Sequence, residues 1–508
     1  MRRRPSMLQA RAPRGVLAVA LATAALAASA QQAAPAGGWR LQPYVSAEQT
    51  VTSNHDVSAQ GEADAVTRLT AGSGLQARSA HWLGQGDLNV KRVQYARHAR
   101  KSEWQLGVKG QLTGRAYDDR LTLETGLDVS RRALSALGPT LASPDSASSN
   151  VARTTQWHLA PQWRSRLGGD LRLSAKLGLD GVRVQGQPDG NQVVRSAQIA
   201  LNPATERRLG WQTLASVQRI DEQIGRDTGS DRLQGVATWV VEPAEWQLQG
   251  RVGREWSDVS TADRRAYATW GIGTRWTPGP RTLMDAQWER RSFGNTYAVE
   301  LSHRLPRTAF KLQLTRNLSS SDYANTGQTS TAYQLFDQLL RSSISDPLQR
   351  QAAVLALLGN RPINAPVDAD WLGSATTVQQ RGAFSVAWRG VRQTATLTLG
   401  STRTERVDPL AQLIDLLAQA TRVRRNDLAV DLEHALTPQA SLLFGLSAVD
   451  TRGELASQRA REQLASLRLN AKLGPDVTTS LGLRLGRYHM QATDYDETAL
   501  TASLAAKF

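Results

Sequence analysis

Histidine is the first place to look for chemistry in this chain. There are seven, at His55, His81, His98, His158, His303, His434 and His489. A metal or hydrolytic centre needs such residues at fixed spacing from an acid, a second histidine or a nucleophile, because lone pairs must converge on one atom. No HExxH, GxSxG or paired histidine spacing occurs. No enzymatic activity, catalytic residue, metal or cofactor is therefore expected. The pairs His81/His98 and His303/His434 are read as surface or lumen positions. The chain has no cysteine, which excludes disulfides and thiol chemistry.

The residues with more to say are basic. Arg172, Lys176, Arg251, Arg275, Arg304, Lys311, Arg389, Arg468, Lys472 and Arg484 fall at alternate positions of apolar–polar runs. In LRLSAKLGL, Leu171, Leu173, Ala175, Leu177 and Leu179 share one face, and Arg172 and Lys176 share the other. In WQLQGRV, Trp246, Leu248 and Val252 oppose Arg251; in LRLNAKL and TSLGLRL, Arg468, Lys472 and Arg484 again oppose leucines. A period of two marks a strand with one apolar face. If the strands close into a barrel, these basic residues line the lumen and favour anionic solutes. They also fit a second reading, in which they pair with acids across the lumen or touch lipopolysaccharide phosphates. Asp431 and Glu433 offset the charge on one strand.

The elements that would position them are many strands of about ten residues. Short turns (167–170, 241–245, 277–280, 304–308, 389–393, 436–440, 473–476) alternate with longer polar loops (135–153, 184–191, 223–230, 257–264, 317–379, 405–424, 450–460, 490–495). This rhythm, with strands of even length, is that of an outer-membrane barrel with short periplasmic turns. The expected fold is all-β, a single closed antiparallel transmembrane barrel of about 22 strands, within 18–24. Mean hydropathy is −0.40 and the net charge is +16. A polar average does not argue against a barrel, whose strands alternate lipid-facing and lumen-facing residues. The pI near 10.6 is explained by an arginine-rich barrel in an anionic membrane, without nucleic acid.

Both ends carry information. Residues 1–30 begin MRRRP, continue through the apolar run GVLAVALATAALAASA and end on Ala28-Ser29-Ala30. They read as a cleaved signal peptide, leaving 31–508 as the barrel. The last nine residues, LTASLAAKF, place Leu500, Leu504 and Phe508 on one face. A terminal aromatic on an alternating strand resembles the assembly signal read by the barrel-assembly machinery. That strand must pair with the first, near Trp39 to Thr52, because lipid tolerates no open edge. With strands starting soon after residue 30, no plug domain is expected ahead of them.

Tryptophan is in excess, 14 against 6 phenylalanines. Trp39, Trp82, Trp163, Trp211, Trp246, Trp276 and Trp388 fall beside short turns, and Trp104, Trp157 and Trp256 near the opposite ends. Two girdles at headgroup level follow. Two long loops have helical periodicity instead, at 333–358 and 409–420. These helices would pack as a cap, enter the lumen, or lie on the membrane.

Residues 290–317, RRSFGNTYAVELSHRLPRTAFKLQLTRN, with FGNTY, SHR and PRT, and the segment YQLFDQLL from Tyr333, resemble an outer-membrane barrel family associated with the PEP-CTERM/exosortase system of Gram-negative bacteria. The resemblance implies a locus for exopolysaccharide biosynthesis and protein sorting, and carries over no catalytic residue. The expected role is a conduit or docking barrel for an anionic exopolysaccharide. The implied partners are outer-membrane lipid and lipopolysaccharide, the assembly machinery and periplasmic polysaccharide-export proteins. A general diffusion porin and a structural or adhesin-type scaffold are the alternatives.

Overall fold

Each strand pairs with its neighbours in the chain, so the order in the sheet is the order in the chain. A computed structural model describes residues 38–508 except 99–100, 141–147, 149, 187–190, 206–207, 224–225, 242–244, 319–330, 341–349, 351–353, 355–375, 408–421, 456 and 491–492. The expected signal peptide (1–30) and the helical stretch at 409–420 lie outside the described residues.

The strands are β1 (Gly38–Thr52), β2 (Asp64–Arg78), β3 (Trp82–Tyr95), β4 (Glu103–Ala116), β5 (Leu121–Ala133), β6 (Val151–Leu167), β7 (Leu171–Val184), β8 (Gln192–Pro203), β9 (Leu209–Glu222), β10 (Thr228–Val241) and β11 (Trp246–Ser257). They continue as β12 (Arg265–Gly279), β13 (Thr282–Arg291), β14 (Gly294–Arg304), β15 (Thr308–Leu318), β16 (Thr377–Arg389), β17 (Gln393–Arg406), β18 (Arg422–Thr437), β19 (Ala440–Arg452), β20 (Arg459–Lys472), β21 (Val477–Met490) and β22 (Thr493–Lys507). They form one 22-stranded antiparallel sheet. It closes where β1 pairs with β22, from Tyr44↔Lys507 to Thr52↔Ala499. Beyond the ladder, the Phe508 amide donates to the Pro43 carbonyl at 2.9 Å. No strand edge is left for lipid to meet, as a hydrocarbon environment requires.

Turns from an even strand to the next odd one are all short. In the β6–β7 turn, Gly168 and Gly169 sit at φ +61° and +85°, a region that side chains disfavour. Connections from odd to even strands are mostly longer, with two exceptions. β13–β14 turns over two residues into Gly294 at φ +108°. The stretch 490–495, read from sequence as a loop, instead belongs mostly to β21 and β22, which leave only 491–492 between them. Tyr488 and Tyr495, stacked 5.3 Å apart, hold these strands together to their tips.

The outer wall is apolar through its middle. Leu177, Ile199, Leu233, Val252, Ile272, Leu428, Leu446, Leu483 and Leu500 all expose much of their surface. Cross-strand register puts them on one face, as in Leu467↔Leu483 and Leu483↔Leu500. In water a contiguous belt of this extent would aggregate; in lipid it is the solvated surface. Trp39, Trp82, Trp163, Trp211, Trp246, Trp276 and Trp388 face outward beside the short turns, joined by Trp239. Trp246 and Trp276 are directly paired and stacked at 5.3 Å. Trp104 and Trp256 face outward at the other end.

Candidate functional site in the lumen

The register that turns leucines outward turns their neighbours inward. All ten basic residues singled out by spacing occupy lumen-facing positions, each one residue from an outward apolar or aromatic side chain or its register partner. Their partners divide them. Lys176 lies 3.8 Å from Glu124, Arg275 3.0 Å from Asp285, Lys311 3.4 Å from Glu300 and Arg484 2.5 Å from Glu497. Arg251 donates to the amide oxygens of Gln287 and Gln249, and Arg172 to the Ala204 carbonyl. Arg251, Arg389, Arg468 and Lys472 have no acidic partner among the described residues. Asp431 and Glu433 also face inward and accept hydrogen bonds from Thr396 and Thr394.

The lumen is not empty. Helix α1 (Thr331–Leu340) belongs to the β15–β16 connection, within and just ahead of the 333–358 stretch. Its Leu335, Phe336, Leu339 and Leu340 are buried against Ala309, Ala387 and Val354. Ala309 and Ala387 are cross-strand partners on the inner wall, near the short-turn end of β15 and β16. Two alanines side by side leave a depression into which an apolar helix face fits. Arg304, also lumen-facing, donates to the Gln338 carbonyl at 3.0 Å. A helix from a connection on the long-loop side thus packs inside the barrel near its opposite end. Of the three placements open from sequence, the described helix takes the lumenal one.

Two further loops fold inward at the long-loop end. Thr140, between β5 and β6, donates its amide and hydroxyl to the Glu462 carboxylate, the hydroxyl at 2.7 Å. Glu462 is fully buried on β20. Arg425 of β18 reaches the same hydroxyl at 3.4 Å. Val57, between β1 and β2, is buried among Ala460, Tyr488 and Met490. Sequence reasoning missed that these loops turn inward, since neither has a period and their partners are distant in the chain.

The histidines are not all scattered. His55 and His98 stack at 4.2 Å, bringing together the β1–β2 and β3–β4 loops. His98 Nδ1 bonds Asp64 at 2.7 Å and Nε2 bonds Glu62 at 2.5 Å. Lys101 Nζ is 3.0 Å from His55 Nε2. The hydrogen bond to Asp64, then that to Glu62, raises the His98 pKa above the ordinary histidine value. His81, in the β2–β3 turn, lies at the other end of the barrel from His98. His303 and His434 face outward near the short turns.

These features define a class. The chain is a closed, 22-stranded β-barrel of the bacterial outer membrane, crossing with strands; among the described residues no helix is long and apolar enough to cross. No family model matches the chain, and no curated protein matches it. Solved structures similar to it include the FrpB iron transporter of Neisseria meningitidis (F3-3 variant), at TM-score 0.46 and 10% identity over 92% of this chain and 81% of that one. OccK2 (OpdF) of Pseudomonas aeruginosa is similar at TM-score 0.34 and 12% identity, over 93% and 99% of the two chains. OpdK of Pseudomonas aeruginosa is similar at TM-score 0.33 and 10% identity, over 92% and 99%. At such scores the likeness carries no weight for function.

Proposed function

We propose that the barrel is a gated outer-membrane conduit for an acidic exopolysaccharide, engaged from the periplasm by export proteins. The observation that carries this reading is a helix, α1, packed on the inner wall of a lumen lined with basic side chains. A fixed positive lumen lowers the energy of a polyanion along its path. With α1 seated on the wall the path has a closed state, and displacing the helix as a unit would open it. The resemblance of residues 290–317 to the PEP-CTERM-associated barrels supplies the polymer class. No enzymatic step is part of the reading.

A deletion strain complemented with variants tests it. Arg275 and Arg484 are paired with acids, so reversing them adds local repulsion as well as changing the lumen. Arg251 and Arg468 lack an acidic partner among the described residues and give the cleaner test. The deletion strain should lose surface exopolysaccharide, and Arg251→Glu/Arg468→Glu should assemble normally yet fail to restore it. Normal exopolysaccharide in the deletion strain, with lost uptake of small anions, would replace this reading with a diffusion porin.

A further inference from the structure

The outer wall carries charge at one end only. Among the described residues, every strand arginine that faces outward lies in the half nearer the long loops, and no strand lysine or arginine faces outward in the half nearer the short turns. At one place these arginines form a row. Arg403, Arg424, Arg452 and Arg459 stand directly opposite one another on four successive strands, β17 to β20. Like charges directly across a ladder are destabilising, so a solvated row of this kind would be a net cost.

Local acids offset it only in part. Glu405 pairs with Arg403 and Arg422, and Asp450 with Arg452 and Arg459. Arg424, at the centre, has no acidic partner among the described residues. An open recess of about 500 Å³ lies there, lined by Arg422, Arg424, Arg452, Gly453 and Glu454. The level of the row is set by register. Four residues below it on the same strands, Leu399 pairs with Leu428 and Leu428 with Ala448. That is about 13 Å along a strand, which places the row at headgroup depth above the apolar belt.

We infer that this row is a binding site for a phosphate-bearing glycolipid headgroup of the outer leaflet. Guanidinium groups match phosphate oxygens in bidentate geometry. A phosphate in the recess would remove the repulsion between Arg424 and Arg452 while its acyl chains lie on Leu399 and Leu428. Confinement of outward arginines to one end fits a membrane whose two leaflets differ in charge.

The test uses the full chain in neutral detergent and native mass spectrometry. The probes are bisphosphorylated lipid A, the same lipid dephosphorylated, and inorganic phosphate as competitor. The wild type should retain the bisphosphorylated lipid about ten-fold or more over the dephosphorylated one, with no displacement by equimolar inorganic phosphate. Arg424→Glu/Arg452→Glu should abolish that preference while keeping heat-modifiable mobility. Should it fail to assemble, Arg424→Gln/Arg452→Gln is read instead, and the preference should drop there too. Equal retention of the two lipids, an unchanged preference in the assembled variant, or displacement by inorganic phosphate would each overturn the inference.

Discussion

The two ends of the barrel solve different problems with the same strands. At the short-turn end the outer face of the described strands carries tryptophans without arginines, and the inner wall holds α1 over Ala309 and Ala387. At the long-loop end the outer wall carries arginines, and the inner wall receives Val57 and Thr140 from loops. An indole settles at an interface with little regard for leaflet charge, whereas a guanidinium selects for phosphate. If the arginine row binds a phosphate-bearing headgroup as inferred above, the contrast orients the molecule, with the arginine end at the outer leaflet and the short turns in the periplasm.

The largest effect expected from perturbing this contrast is on assembly. Phe508 closes the short-turn end by donating its amide N–H to the Pro43 carbonyl. Phe508→Asp should sharply lower the outer-membrane level of heat-modifiable protein, because recognition of the last strand precedes closure of the barrel. Unchanged levels would show that closure by the β1–β22 ladder suffices.

A charge placed midway between the ends comes next. Leu483→Arg faces lipid between Leu467 and Leu500 and should cost ~2–4 kcal/mol in reversible folding into bilayers. Thr501→Arg, one register step away but lumen-facing beside Thr50, should cost far less. Equal losses would contradict the assignment of the two faces.

Smaller still is the loss of one stacked pair at the short-turn girdle. Trp246→Ala removes the contact with Trp276 and should cost ~0.5–1.5 kcal/mol beyond its area. An outer-wall aromatic at the opposite end, Trp104, instead lies 5.4 Å from the Arg92 guanidinium, so its removal should respond to salt while that of Trp246 does not.

The smallest effect concerns pH at the long-loop end. His98 faces Asp64, Glu62 and the His55 ring, with Lys101 beyond. Its pKa is raised in the folded chain. The link it makes between loops is thus fully present below the unfolded histidine value and is lost as pH rises through the raised one. Hydrogen exchange at Arg97 and His98, whose amides donate to Asp64, should quicken over that window. In His98→Gln the pH step should vanish.

The strands were legible because each is its own evidence: one residue in two is apolar, and the register follows. The same parity carried Arg172 through Arg484 to the inner wall. Helix α1 was legible from Leu335, Phe336, Leu339 and Leu340, but its seat was not, since two alanines on different strands become a depression only after pairing. The infolded loops were hidden for a related reason. Thr140 finds Glu462 across 322 positions, and nothing local to either residue announces the other. The polar stretch 490–495 was misread because Thr, Asp and Gln suggest a loop, while the Tyr488–Tyr495 stack that extends the strands is a cross-strand contact. The row Arg403, Arg424, Arg452 and Arg459 is likewise invisible until four registers are known.

If α1 closes a basic lumen, single-channel recordings in planar bilayers should find the wild type largely closed. Replacing residues 331–358 by a short glycine–serine linker should give a large anion-selective conductance. Equal conductance from the two proteins, or a cation-selective pore after replacement, would contradict it.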